Sequence, residues 1–135
     1  MLPSIKLKDY MLINPVRVHP DEDLFAAVAL ILDHRLSGLC VVDDDGNLVG
    51  VLSELDCLKA ILAASYENRT NVGKVGDYMT REVVTSGADE DIVEVASDML
   101  KSRHRRRPVV KDGKLVGQIS CRQVLKAIRS FSGKG

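Results

Sequence analysis

The chain has no tryptophan, only two phenylalanines and only three tyrosines. That scarcity argues against a platform for single-stranded nucleic acid, which stacks bases on aromatic rings. Charge of one sign is missing too. Nineteen Lys and Arg balance nineteen Asp and Glu, so composition supplies no global attraction to nucleic acid or to an anionic membrane. The longest wholly apolar run, Leu24 to Leu32, is nine residues, well short of the ~20 that cross a bilayer. The opening residues MLPSIKLKDYM show no basic stretch followed by an apolar one, so no signal peptide is expected. The three cysteines, Cys40, Cys57 and Cys121, are odd in number and lack CxxC spacing. They fit small hydrophobes in a reducing, cytoplasmic setting. With His19, His34 and His104 they show no metal-ligand spacing, and no Cys/His/Asn set points to nucleophilic catalysis.

What is present is the same passage written twice. Asp9-Tyr10-Met11 returns as Asp77-Tyr78-Met79, Asp21-Glu22-Asp23 as Asp89-Glu90-Asp91, and Val41-Val42 as Val109-Val110. One residue is lost in the following turn, after which Gly46 aligns with Gly113, Ser53 with Ser120 and Ile61 with Ile128. An internal repeat governs the fold, because each unit has an apolar face it cannot bury alone. A ligand site is expected at or near the seam. The 135 residues amount to one domain with a real core.

Each copy predicts the order β-α-β-β-α. Val16 and Val18 form a short strand between Pro15 and Pro20. Asp21 to Asp23 then suit a helix N-terminus, and Leu24, Ala27, Val28, Ile31 and Leu32 recur at helical spacing. The second copy repeats this with Asp91 and Glu94 at capping-box spacing, followed by Ile92, Val95, Ala96, Met99 and Leu100. Hairpins follow: Leu39 to Val42 with Leu48 to Leu52, and Val109 to Lys111 with Leu115 to Ile119 around Asp112-Gly113. The last helices are expected from Glu54 to about Ala64 and from Cys121 to about Phe131. The resulting division is residues 8–64, a partly loop-like linker over 65–76, residues 77–129, and a frayed tail over 130–135.

The stretches SGLCVVDDDGNLVGVLSELDCLKAI and RRRPVVKDGKLVGQISCRQVLKAI, doubled over roughly Lys8 to Arg129, resemble a tandem pair of CBS domains, the arrangement called a Bateman module. The resemblance implies an α/β fold of two repeats in pseudo-twofold contact. It implies a regulatory, ligand-sensing role without catalytic machinery or a required cofactor. It further implies an adenosine-containing ligand in the cleft between repeats, of the AMP, ADP or ATP class, with S-adenosylmethionine a further candidate. A homodimer and an unidentified regulated protein are the expected partners, with no membrane.

Four groups of residues carry candidate roles. Ser53 ends a strand at a helix start, where hydroxyl and free N–H groups can face an anion, and Asp56 follows in the first turn. The resemblance assigns phosphate to Ser53 and ribose to Asp56, while spacing alone also allows a plain helix cap. In the second copy Ser120 is kept but Gln123 replaces the acid, which predicts one competent site per chain. The run Arg103-His104-Arg105-Arg106-Arg107 precedes Pro108. Arg105 and Arg106 match the family's phosphate-reaching pair, and Arg grips phosphate with a planar fork. A solvated basic patch, or a nucleic-acid or polyphosphate contact, stays open for this run. Finally, Ile13, Asn14 and Val16, with Leu39 at the next strand, match the stretch that holds the base, and the same residues also read as core and turn. The rival to a sensor is a non-binding interaction module that dimerises and docks a partner.

Overall fold

A computed structural model describes residues 4–132 of the chain, with side chains through Arg129. Residues 133–135 of the tail expected to fray lie outside the described residues. The structure is mixed α/β with two similar repeats. A 3-10 turn at Leu7–Asp9 leads into β1 (Leu12–Ile13), β2 (Arg17–Val18), α1 (Leu24–Asp33), β3 (Gly38–Val42), β4 (Leu48–Ser53), α2 (Glu54–Tyr66) and α3 (Val75–Tyr78). Then follow α4 (Ile92–Ser102), β5 (Arg106–Lys111), β6 (Lys114–Ser120) and α5 (Cys121–Ser132). The opening strand of the second repeat shrinks to one parallel bridge, Ser86 to Val109.

The compact units do not coincide with the repeats. One gathers the described residues up to Pro15 with those from Val84 onward, and the other spans Val16–Val83. The lead-in of each repeat is therefore built into the sheet of the other. In the first unit β1 pairs antiparallel with β6, giving the order β1-β6-β5. In the second, β2 runs parallel to β3, β4 is antiparallel to β3, and Thr80 bridges to Val51 as Leu12 does to Gln118. The doubled glycines explain how this close approach is possible. A Cβ on Gly50 would lie 2.8 Å from the Thr80 carbonyl oxygen and 2.8 Å from the Met79 sulfur. A Cβ on Gly117 would meet Leu12 O at 2.9 Å and Met11 Sδ at 2.6 Å. The repeated methionine thus lies over the repeated glycine, a place where only a residue without a side chain lets a second backbone in.

The stretch 65–76 is tied into the second unit. Ser65 and Tyr66 extend α2, Leu24 N donates to Gly73 O, Val75 N to Glu22 O, and Gly76 N to Pro20 O. The unit's core joins Val18, Leu24, Ala27, Ile31, Leu39, Val41 and Leu52 with Val72, Val75 and Met79. In the other unit Leu7 packs with Ile92, Val95, Met99, Val109 and Ile119.

The helix starts follow the acid runs. Asp23 accepts from Phe25 N at 3.1 Å, and Asp91 Oδ1 from Val93 N at 2.8 Å and Glu94 N at 3.3 Å. The Asp91 cap forms, but Glu94 does not return a bond, so the reciprocal box expected there is absent. Leu32 and Leu100, expected on the buried stripes, face outward in both repeats. The buried positions of α1 and α4 are spaced i, i+3 and i+7, and the next position falls off the edge of so narrow a stripe. Strand β5 begins earlier than expected and takes in Arg106 and Arg107. No helix among the described residues is long and apolar enough to cross a membrane.

Candidate functional site

The end of β4 delivers Ser53 to the start of α2 with extended backbone, φ −92° and ψ 165°. Its hydroxyl oxygen accepts from Asp56 N at 3.0 Å, while Asp56 Oδ2 accepts from Ser53 N at 3.0 Å. This is a complete capping box, with aspartate closing the return bond. Thr80 Oγ1 also donates to Asp56 Oδ2, at 3.3 Å. Thr80 was not legible as a site residue, although its alignment with Leu12 in the doubled lead-in offered a signal. Two capacities stay uncommitted among the described residues: the Ser53 hydroxyl proton and Asp56 Oδ1. A hydroxyl donor beside a carboxylate acceptor at a helix N-terminus can meet a phosphate and a diol together.

The equivalent end of β6 differs in its chemistry. Gln123 N donates to Ser120 Oγ at 3.2 Å, and Ser120 Oγ donates to Gln123 Oε1 at 3.1 Å. The serine proton is thus consumed by the amide, and no carboxylate is present. Arg106 stands opposite Ser120 in the β5–β6 ladder, while the equivalent pair in the other unit is Gly38 opposite Ser53. The cation and the neutral box therefore share one unit, and the acidic box has glycine as its neighbour. Arg105 is exposed, and its carbonyl accepts from Cys121 N at 3.0 Å.

The stretch that the resemblance expects to hold the base falls in both units. Ile13 and Asn14 belong to the unit of β6, with Ile13 opposite Gly117. Val16 and Leu39 belong to the unit of Ser53 and Asp56. Asn14 has φ 53°, a left-handed turn just before Pro15 where the chain leaves one unit for the other. Leu39 is 2% exposed and packs in the core, so its side chain is held inside.

Arg107, the last of the arginine run, has a structural role. It occupies the place of Leu39 in the repeat, is buried, and reaches Asp98 at 2.7 Å. Arg107 Nε and the Oγ of Ser86, which stands in the place of Val18, have no hydrogen-bond partner. The second repeat has thus exchanged two apolar core positions for polar ones. The alignment of Arg107 with Leu39 could have revealed this.

The CBS domain family model matches residues 7–63 and 75–130. Among solved structures, CBSX2 in complex with AMP is 29% identical, covers 96% of this chain and 99% of that one, and superposes with a TM-score of 0.85. The CBS domain pair of protein MJ0100, in complex with 5′-methylthioadenosine and S-adenosyl-L-methionine, is 29% identical with a TM-score of 0.78, covering 98% and 100% of the two chains. Inosine-5′-monophosphate dehydrogenase of Methanocaldococcus jannaschii is 35% identical over 91% of this chain. The chain spans 24% of that enzyme's length and 43% of another curated relative. The doubled match, the repeat architecture and the two serine boxes agree: this chain belongs to the CBS-domain family and carries a tandem pair of its repeats.

Proposed function

We propose that this chain is a regulatory sensor of an adenosine-containing nucleotide of the AMP, ADP or ATP class, with S-adenosylmethionine as a second candidate. The observation that carries this reading is the Ser53–Asp56 box, which keeps one hydroxyl proton and one carboxylate oxygen uncommitted at a helix start. Support comes from CBSX2, crystallised with AMP, and from the MJ0100 pair, crystallised with S-adenosyl-L-methionine and 5′-methylthioadenosine. Asp56 takes the ribose diol and Ser53 a phosphate or other polar group. Ser120 and Gln123, having lost the carboxylate and committed the serine proton to the amide, form the weaker locus. The role is non-catalytic. Cys40 is buried, and burial pushes the Cys57 thiol up, away from the thiolate a nucleophile requires.

A second reading has its own observation. Both serine boxes are closed on themselves, as simple caps would be. On that reading the pair docks a partner and binds no nucleotide. Thermal melts with AMP, ADP, ATP, NADH, adenosine and S-adenosylmethionine separate the two. A bound ligand at ~100 times its dissociation constant stabilises by about 2.7 kcal/mol. A flat response to every ligand at millimolar concentration would establish the docking module instead.

A further inference from the structure

The zero net charge conceals a local one. Residues 101–129 hold ten Lys and Arg against one acid, Asp112, whereas the matched residues 33–62 of the first repeat hold two against six Asp and Glu. One fold carries both signs, so the basic one is not a requirement of folding. The backbone gathers its members. Arg103 ends α4 in the left-handed region, at φ 58°. Cys121 N donates to Arg105 O at 3.0 Å and Cys121 Sγ to His104 O at 3.7 Å, which lays this loop against the first turn of α5. Arg122, Lys126 and Arg129 then follow at i, i+4 and i+7 on one face of α5, over ~10 Å of helix. With Lys101, Arg103 and Arg105 they make a ridge of six exposed cations inside one compact unit. Among the described residues none of the six has an ion-pair partner. Three of the unit's acids are engaged elsewhere: Asp98 on Arg107, Asp89 on Lys6 and Lys8, and Asp91 in the cap of α4.

We propose that this ridge binds the phosphate backbone of a nucleic-acid duplex without reading its sequence. Four of the six cations are arginines, whose planar forks match phosphate oxygens. A duplex carries one negative charge per ~1.7 Å of its axis, so several phosphates come within reach of a ~10 Å stripe. Contacts of this kind position a protein and carry no sequence information. The absence of aromatics selects among polyanions. No Phe, Tyr or Trp occurs between Val84 and Arg129. The ridge therefore has no ring on which the bases of a single strand could stack, and no aromatic anchor of the kind that dominates protein–protein contacts. A membrane surface fits less well, because Val124 packs on the unit's own core and holds that side of α5 away from lipid. None of the six side chains belongs to either serine box, and the contact holds whether or not a nucleotide binds.

Fluorescence anisotropy with labelled duplex DNA tests it. The full chain is expected to bind two duplexes of unrelated sequence equally, with dissociation constants of ~10⁻⁶–10⁻⁴ M at physiological salt. Titrations between ~50 and ~200 mM salt are expected to give a log–log slope near −5, as about six phosphate contacts would. Arg122→Ala/Lys126→Ala/Arg129→Ala is expected to flatten that slope by about 2 to 3, since each lost contact removes ~0.9. Lys59→Ala, at the matched position of the first repeat, is expected to leave it at the parental value. If the triple variant does not fold, Lys101→Gln/Arg103→Asn, on a different element and with an asparagine that tolerates the left-handed backbone, is expected to flatten it by about 2. No binding at ~50 mM salt overturns the proposal, as does a slope that the ridge variants leave unchanged. Tighter binding of a single strand of equal length, of poly-L-glutamate or of phosphatidylserine vesicles overturns it as well, and assigns the ridge to that partner instead.

Discussion

Arg107 and Asp98 meet at 2.7 Å across the β5–α4 packing, with the guanidinium 4% exposed and the carboxylate 55% exposed. The arginine sits where the first repeat places Leu39, and its Nε has no partner. Removing one member of a buried pair leaves an uncompensated charge, whereas replacing the whole pair with apolar side chains of similar volume often costs nothing. Asp98 is half exposed, so water replaces part of what it supplies. Asp98→Ala is therefore expected to destabilise by ~1–3 kcal/mol. Arg107→Leu is expected to be neutral or stabilising, and the double variant to recover what Asp98→Ala loses. Urea denaturation of the three variants checks this, and a larger loss for Arg107→Leu than for Asp98→Ala contradicts it.

The doubled glycines yield a stability prediction. At Gly50 a methyl group meets the backbone oxygen of Thr80 at 2.8 Å, and backbone cannot turn aside as a side-chain tip can. Gly50→Ala is expected to cost ~1–3 kcal/mol, the usual range for overpacking. Gly46→Ala has open space around its Cβ and is strained only by its φ of 86°. Protease susceptibility between residues 70 and 83 should rise in the first variant and stay at the parental level in the second.

The repeat order, both hairpins and the four long helices were legible because hydrophobic period, acidic caps and Asp-Gly turns are local signals. Asp112 and Gly113 take φ of 52° and 82°, as a two-residue hairpin turn requires. The exchange of lead-ins was not legible. It depends on Met11 and Met79 covering Gly117 and Gly50, contacts between residues far apart in the chain. The same exchange puts the unit boundary at Pro15, inside the stretch Ile13 to Val16 that the resemblance expects to hold a base. The arginine run read as one basic feature, yet strand alternation gives its members different fates. Arg107 turns into the core, whereas Arg106 stands opposite Ser120.

Asp43 and Asp89 supply a pH dependence. Bonds from the Asn47 backbone and side chain hold the Asp43 carboxyl below its ordinary value of 3.8, and a bond from Lys8 does the same for Asp89. A carboxyl lowered on folding stabilises fully above its unfolded value. That contribution disappears as the pH falls through the folded one. Stability is thus expected to decline below about pH 4. Asp43→Asn should lower the urea midpoint at pH 6, with the gap to the parent closing towards pH 3.

Asp56 and Gln123 rank the two serine boxes. Asp56→Ala removes a charged acceptor, and bonds to charged groups contribute ~1.5–3 kcal/mol. Affinity for an adenosine ligand should drop about 10- to 150-fold at that magnitude. Gln123→Ala should change it far less. Calorimetric titration of both variants measures the ranking, and the reverse order would move the principal locus to the second repeat. Asp56→Asn, which keeps an acceptor for Ser53 N, separates loss of the cap from loss of the charge.

Arg105 and Arg106 bear on the phosphates. If either touches a phosphoryl group, Arg105→Ala/Arg106→Ala should weaken AMP and ATP binding while adenosine binding stays at the parental level. A cation acts only on the charged part of the ligand. Raised salt should shrink the difference, because partly exposed charges are screened over ~8 Å at physiological ionic strength. Arg106 stands opposite Ser120, so the phosphate effect should be additive with Gln123→Ala only if the two residues act independently. Coupling beyond about 0.5 kcal/mol in the triple variant would show one ligand touching both. Equal affinities of variant and parent for all three ligands would make the pair a solvated patch. In that case the nucleotide would be held by the Ser53 box without help from the arginine run.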